Sequence, residues 1–206
     1  MDLQKYLDAS ISFSEYLSLI DSLLAEGKTT GANQSEAMVG YGNLNRQRMA
    51  RLTKTVLVDS DVNLRVRSNR RPQVWLIITE GWCGDAAQNI PVIEKVAAAS
   101  ESIDTRYVLR DENLELMDAY LTDGARSIPK LIALDAETHE VLFTWGARPG
   151  EAQEMFKRLK AEGIEKSIIS EELQRWYNTD KGLSLQRELA TLVESTQNVN
   201  SASTAT

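Results

Sequence analysis

The chain is poor in the residues that build covalent cross-links and metal centres. Its 206 residues include one cysteine, Cys83, and one histidine, His139. A single cysteine excludes an internal disulfide and a multi-cysteine zinc site. A single histidine argues against a His-rich metal centre. No metal and no cofactor is therefore expected. No apolar run approaches the ~18 residues that a membrane span requires. The start, Met1-Asp2-Leu3-Gln4-Lys5, lacks the basic region and apolar stretch of a signal peptide. Excess positive charge is missing as well: the net charge of −7 argues against nucleic acid and acidic membranes as partners. There is no internal repeat. A free thiol in a chain of this kind places it, as an expectation, in the reducing cytoplasm.

The hydrophobic content, 42%, is enough for one sizeable core. The chain is organised around Glu80-Gly81-Trp82-Cys83-Gly84-Asp85-Ala86-Ala87. Before it, Val74-Trp75-Leu76-Ile77-Ile78 is an unbroken apolar run that reads as a buried strand. After it, Ala86 to Ser100 reads as a helix containing Pro91, which should kink it. Cys83 thus falls at a strand-to-helix junction, beside unpaired helix N–H groups that stabilise a thiolate.

Helices are expected on both sides. Ser12-Phe13-Ser14-Glu15 fits a capping box ahead of Tyr16, Leu17, Ile20, Leu23 and Leu24 at helical spacing. Asn33-Gln34-Ser35-Glu36 opens a second helix to about Val56, with Gly40 and Gly42 predicting a close helix contact. In 59–73, Val62, Leu64 and Val66 alternate as in a short strand, but Asp59-Ser60-Asp61 equally caps a short helix. Arg46, Arg48, Arg51, Lys54, Arg65, Arg67, Arg70 and Arg71 crowd this region against only Asp59 and Asp61. They read either as a solvated face pairing with acidic neighbours or as an anion or partner patch. Downstream come a strand at Ile103 to Leu109, a helix at Asn113 to Leu121 and a strand after Pro129. A hairpin through Val141-Leu142-Phe143 and a helix from Glu151 to Glu162 follow, with His139 in the hairpin turn. Ser170 to Trp176 and Leu183 to Val193 are two further helices, with Trp176-Tyr177-Asn178-Thr179-Asp180-Lys181-Gly182 between them. Residues 197–206 are polar and small, and read as a disordered tail.

Residues 70–162 therefore alternate as an α/β sheet, parallel at first and antiparallel in the hairpin. This order, with Trp82-Cys83-Gly84 before the first helix, Pro91 eight positions after Cys83, Ile128-Pro129 before the third strand and Gly146 after the hairpin, resembles the thioredoxin family. Leu44 to Met49, Glu80 to Ala87, Arg110-Asp111-Glu112-Asn113 and Trp145 to Pro149 look like a bacterial thioredoxin-like subfamily with helical extensions. The resemblance implies an α/β thioredoxin-like fold: a central mixed sheet flanked by helices, with an N-terminal helical extension and C-terminal helices. It divides the chain into an extension at 1–58, the thioredoxin-like domain at 59–165, packed C-terminal helices at 166–196 and the tail. It also implies that Pro129 is the family's cis-proline, and that an extended substrate pairs with the backbone of Ile128, with Trp82, Gly84 and Pro129 rimming the groove.

The departures define the chemistry. Where thioredoxins carry a second cysteine this chain has Ala86, and where they carry the preceding proline it has Asp85. Their buried carboxylate position, six residues before the cysteine, is Ile77 here. Cys83 can form a mixed disulfide but needs an external thiol to release it. The helix N-terminus lowers its pKa and an ionised Asp85 about 6 Å away raises it, in terms that nearly cancel, predicting a thiol pKa of about 7–8.5. Two readings follow. One is monothiol thiol–disulfide exchange at Cys83, with a protein or low-molecular-weight thiol or disulfide as partner. The other is a non-catalytic thioredoxin-fold binding or scaffold module. Iron–sulfur cluster binding like that of monothiol glutaredoxins fits less well, because Asp85-Ala86 replaces their Phe-Ser.

Overall fold

The computed structural model describes residues 1–197; the polar tail lies almost wholly outside them. The elements are α1 (Gln4–Asp8), α2 (Phe13–Ala25), α3 (Glu36–Thr55), α4 (Ser60–Arg67), β1 (Gln73–Thr79), α5 (Gly84–Ala97), β2 (Ile103–Leu109), α6 (Leu114–Ala119), β3 (Lys130–Asp135), β4 (Val141–Gly146), α7 (Gly150–Ala161), α8 (Lys166–Asp180) and α9 (Leu183–Ser195). The strands form one sheet in the order β2-β1-β3-β4. β1 runs parallel to β2 and antiparallel to β3, and β3 pairs antiparallel with β4.

Side chains alternate across the sheet, so successive residues of β1 serve different cores. Trp75 and Ile77 face a core shared with Leu131, Ala133, Tyr107 and Phe143. That core takes Tyr16 and Ile20 from α2, Met49 from α3, Val62 and Val66 from α4, Ile90 and Ile93 from α5, and Leu185 and Leu189 from α9. Leu76 and Ile78 face the opposite core, with Ile132, Leu134, Leu116 and Met117, closed by Leu3 and Tyr6. Burial on both faces is why β1 reads as an unbroken apolar run. A third cluster joins Ala152 of α7 to Ile169, Leu173 and Tyr177 of α8.

Three readings of the sequence are resolved or corrected here. The ambiguous stretch is a helix. The Asp59 carboxylate caps it by accepting from the backbone N–H groups of Asp61 and Val62. Val62 and Val66, four residues apart, are fully buried, while Leu64 is 68% exposed on the opposite side. α1 was not anticipated: five residues carry no measurable periodicity. The segment 176–182 is not a connection between helices. α8 runs through Asp180, and only Lys181 and Gly182, both left-handed, join it to α9. Asn178-Thr179-Asp180 reads as a break because of its polarity, yet Asp180 accepts from the Ser184 N–H and so caps the next helix. A Cβ on Gly182 would stand 2.8 Å from Val92, so this corner requires glycine both for its φ and for its space.

Of the basic residues, Arg46 pairs with Asp21, Arg65 with Asp61 and Glu194, and Arg71 with Asp135. These three match the expectation of a face paired with acidic neighbours, while Arg51, Lys54, Arg67 and Arg70 are exposed and make no ion pair among the described residues. Arg48 is an exception, described below.

Candidate functional site

Cys83 is the N-cap of α5. Its Sγ accepts from the Ala86 N–H at 3.5 Å and its S–H donates to the Ile128 carbonyl at 3.3 Å. The Ile128–Pro129 peptide is cis, and Ile128 and Pro129 lead directly into β3. On the far side of Pro129, a Cβ at Gly146 would collide with the Pro129 carbonyl, at a φ of 122°. The strand-to-helix turn, the X-Pro bend and this glycine therefore meet at one end of the sheet.

The thiol is not activated. Burial, followed by the Asp85 carboxylate, pushes Cys83 up to about 12. The Ala86 N–H and Arg148 oppose the shift and lose. This corrects the expectation of a balanced thiol near 7–8.5, which weighed charge against charge and left out desolvation. Cys83 keeps partial exposure, so the shift comes from protein atoms packed round the sulfur, not from seclusion of the whole residue. An S–H that donates to a carbonyl is in keeping with a neutral thiol.

Asp85 does more than complement the helix end. Its Oδ2 meets Arg148 at 2.6 Å, with the two side chains only 13% and 11% exposed. Its Oδ1 accepts from the Tyr177 hydroxyl at 3.0 Å, and that hydroxyl accepts from Asn89 at 3.0 Å. Arg148 also donates to Gln153 and lies over the Phe156 ring, 4.0 Å from its centroid. Burial raises the Asp85 carboxyl, while the Arg148 charge and the Tyr177 hydroxyl work to lower it. Tyr177 thus brings α8 onto the residue that replaces the family's motif proline, and Ala86, at the second-cysteine position, is buried.

Trp82 is half-buried, with the Arg110 guanidinium 4.7 Å from its ring centre. Gly84 is exposed. Ile77 lies in the core, as its apolar character implied. The buried acid nearest in sequence is Glu80, whose Oε1 accepts from the Asp111 N–H at 2.9 Å. Burial raises its pKa. Opposite the motif, Arg48 of α3 donates to Asn45 Oδ1 at 2.8 Å, and Asn45 donates to the Gly81 carbonyl at 3.2 Å.

Sequence reasoning assigned no site role to Arg148, Tyr177, Asn89 or Glu80, and read Arg48 only as one member of the basic region. Arg148 and Arg48 did lie in segments singled out by pattern. The segment that holds Tyr177 stood out in the sequence, but its meeting with Asp85 spans 92 positions and no local pattern announces it. A shallow cleft lined by Lys130, Trp145, Arg148, Gln153 and Glu188 lies beyond Arg148, and Cys83 does not line it. Among the described residues no cluster of His, Cys, Asp or Glu is built to hold a metal. No helix among them is long and apolar enough to cross a membrane.

A sequence-family model described as thioredoxin matches residues 31–160. The chain belongs to this thioredoxin family. The thioredoxin match begins ahead of α3 and ends in α7, so it takes in Arg48, the Cys83 turn, Pro129 and Arg148. Two solved structures share the thioredoxin-like architecture. One is an HIV epitope scaffold with 18% identity and a TM-score of 0.54, covering 89% of this chain and 98% of its own. The other is a protein of unknown function from Pseudomonas aeruginosa with 15% identity and a TM-score of 0.54, again covering 89% of this chain and 98% of its own. At that identity they speak for the fold alone. No curated protein matches the chain.

Proposed function

We propose that this thioredoxin-family protein carries out monothiol thiol–disulfide exchange through Cys83. The observation that carries the reading is the placement of Sγ at the α5 N-cap, 3.3 Å from the carbonyl of the residue before Pro129. An extended chain laid across this end of the sheet pairs with the Ile128 backbone, rimmed by Trp82, Gly84, Asp85 and Pro129. When a substrate N–H takes over the Ile128 carbonyl, Cys83 loses the acceptor of its S–H bond. The neutral thiol is then less favoured, and the proton passes to water. The thiolate attacks one sulfur of the substrate disulfide. A new Sγ–S bond forms, the substrate S–S bond breaks, and the other sulfur leaves with the electron pair as a thiolate. A second thiolate, from a small thiol or another protein, attacks the mixed disulfide and releases Cys83. No step uses a metal or cofactor. The cytoplasm, where free thiols persist, is the compartment this chemistry fits.

The test is incubation of the reduced protein with mixed-disulfide substrates and a small thiol. Wild type is expected to turn over and Cys83→Ser is not; equal rates would refute the reading. A second reading, a non-catalytic binding module using the same groove, is favoured by the thiol raised to about 12 and by Tyr177 of α8 over Asp85. Retention of a partner by Cys83→Ser, together with no turnover by wild type, would establish that alternative.

A further inference from the structure

Arg48 is the one residue of the basic region that is half-buried without a carboxylate partner among the described residues. Its neighbours Arg46, Arg65 and Arg71 are paired, and Arg51, Lys54, Arg67 and Arg70 are exposed. The guanidinium has only a neutral amide acceptor, Asn45 Oδ1 at 2.8 Å. Burial, then the like charge of Arg51, work against its charged form and outweigh the Asp85 carboxylate, which favours it without touching it. A cation that is partly desolvated and has no counter-charge in contact is electrostatically incomplete.

Its position is specific. Nη1 lies 3.7 Å from the point where a Cβ on Gly84 would stand, so the guanidinium overhangs the residue next to Cys83. Asn45 fixes it there by holding the Gly81 carbonyl of the same turn. The nearby carboxylate, Asp85, has its oxygens engaged by Arg148 and Tyr177. With Asp85 held by Arg148 and Tyr177, the Arg48 guanidinium is left without a carboxylate in contact at the start of the 14-residue α5, whose N-terminus carries the same sign.

We propose that Arg48 forms a carboxylate-binding subsite beside Cys83, and that the thiol resolving the Cys83 mixed disulfide is a small molecule carrying a carboxylate near its sulfur. The inference rests on the exchange reading above. Arg48 holds the carboxylate while the incoming thiolate attacks the substrate sulfur of the mixed disulfide. The new S–S bond joins the small molecule's sulfur to the substrate sulfur. Cys83 Sγ leaves with the electron pair and takes a proton from water. The same subsite admits a carboxylate-bearing disulfide as the oxidant in the reverse direction.

Two probe pairs test this on the full-length protein. Iodoacetate and iodoacetamide are similar in size and differ in charge, so their rate ratio at Cys83, normalised to free cysteine, reads the local field without requiring exchange. Any change in the thiol itself cancels in the ratio. In Arg48→Gln the normalised ratio is expected to fall about tenfold, the size of one lost charge at close range under partial screening. Arg48→Lys, which keeps the charge, is expected to retain most of it. An unchanged ratio in Arg48→Gln overturns the subsite. The second pair is 3,3′-dithiodipropionate and bis(2-hydroxyethyl) disulfide, acting on the reduced protein. A wild-type preference for the anionic disulfide that disappears in Arg48→Gln supports the proposal; equal preference in both proteins overturns it. No reaction of wild type with either disulfide defeats the exchange reading and with it the resolving-thiol assignment, while the alkylation ratio still decides the subsite.

Discussion

Around Cys83, burial outweighs every charge. The sequence brings together a helix N-terminus and an acid two residues on, terms of similar size and opposite sign. Packing in the clusters that hold Ala86 and Ile128 then removes solvent from the sulfur and settles the balance in favour of the thiol. Alkylation of wild type by iodoacetamide should accordingly rise through pH 9 and 10 without reaching a plateau, because the thiol is pushed up to about 12. A plateau by pH 8.5 would show that desolvation is weaker than argued here. Asp85 is the second largest cause of the shift. Asp85→Asn removes the opposing charge and leaves Arg148 to act alone, so alkylation at pH 8 should quicken by roughly tenfold. The same change strands a nearly buried guanidinium and should cost about 3 kcal/mol in denaturant unfolding. Faster alkylation with lower stability is the expected pairing; slower alkylation would remove Asp85 from the account. The motif residues were legible because local spacing places them. Arg148 and Tyr177 were not, because nothing local says that α8 returns to this turn.

The elements show the same division between local and distant causes. Gly40 and Gly42 of α3 look alike in sequence, and both were read as marking a close helix contact. Only Gly42 does: a Cβ there would stand 2.9 Å from Thr29 Oγ1 and 3.2 Å from Leu24, while Gly40 meets nothing within 4 Å. Gly40→Ala should therefore stabilise the protein by about 0.5–1 kcal/mol through the lower backbone entropy of alanine. Gly42→Ala should lower the thermal midpoint, and equal responses would place α3 differently against α2. At the end of β3, Asp135 accepts from the backbone N–H groups of Glu137 and Thr138 and from Arg71, whose other arm reaches the Thr196 carbonyl. These bonds hold its carboxyl down at about 2, against an ordinary value of 3.8. A depressed acid contributes stability above its unfolded pKa and loses it as pH falls. About 2 kcal/mol should thus disappear between roughly pH 4 and pH 2. Asp135→Asn should flatten that part of the acid limb in urea unfolding measured at pH 2 to 5. The α/β alternation and the antiparallel hairpin were readable from period and punctuation, whereas the order β2-β1-β3-β4 rests on pairings between distant strands. The choice of helix over strand for α4 turned on which side of Leu64 the core lies, which no local pattern contains.

At the scale of the whole molecule, the C-terminal helices are structural members of the fold. Leu185, Leu189, Ala190 and Val193 of α9 lie in the same core as Trp75 and Phe143. Gln186 bonds the Asp59 N–H and the Leu57 carbonyl ahead of α4. Glu188 accepts from the Trp145 indole at 2.6 Å, and Glu194 holds Arg65. Ending the chain after residue 165 would strip these side chains from the main core and remove Tyr177 from Asp85. A single buried Leu→Ala change costs about 2–5 kcal/mol, and a domain has about 5–15 kcal/mol in total. Removing these four buried aliphatic side chains together with their cage therefore exceeds what a sheet of this size retains. The truncated chain should show no cooperative thermal transition and a collapsed near-UV circular dichroism signal. Leu189→Ala, by contrast, should remain folded with a loss of about 2–5 kcal/mol, which separates destabilisation from loss of the fold. A cooperative melt by the truncated chain would mean that the sheet and its N-terminal helices close a core without α9. Cys83 alkylation in that same species would then show whether Tyr177 restrains the site: rates equal to wild type would assign α8 and α9 to stability alone, and faster rates would tie the C-terminal helices to the reactivity of the thiol.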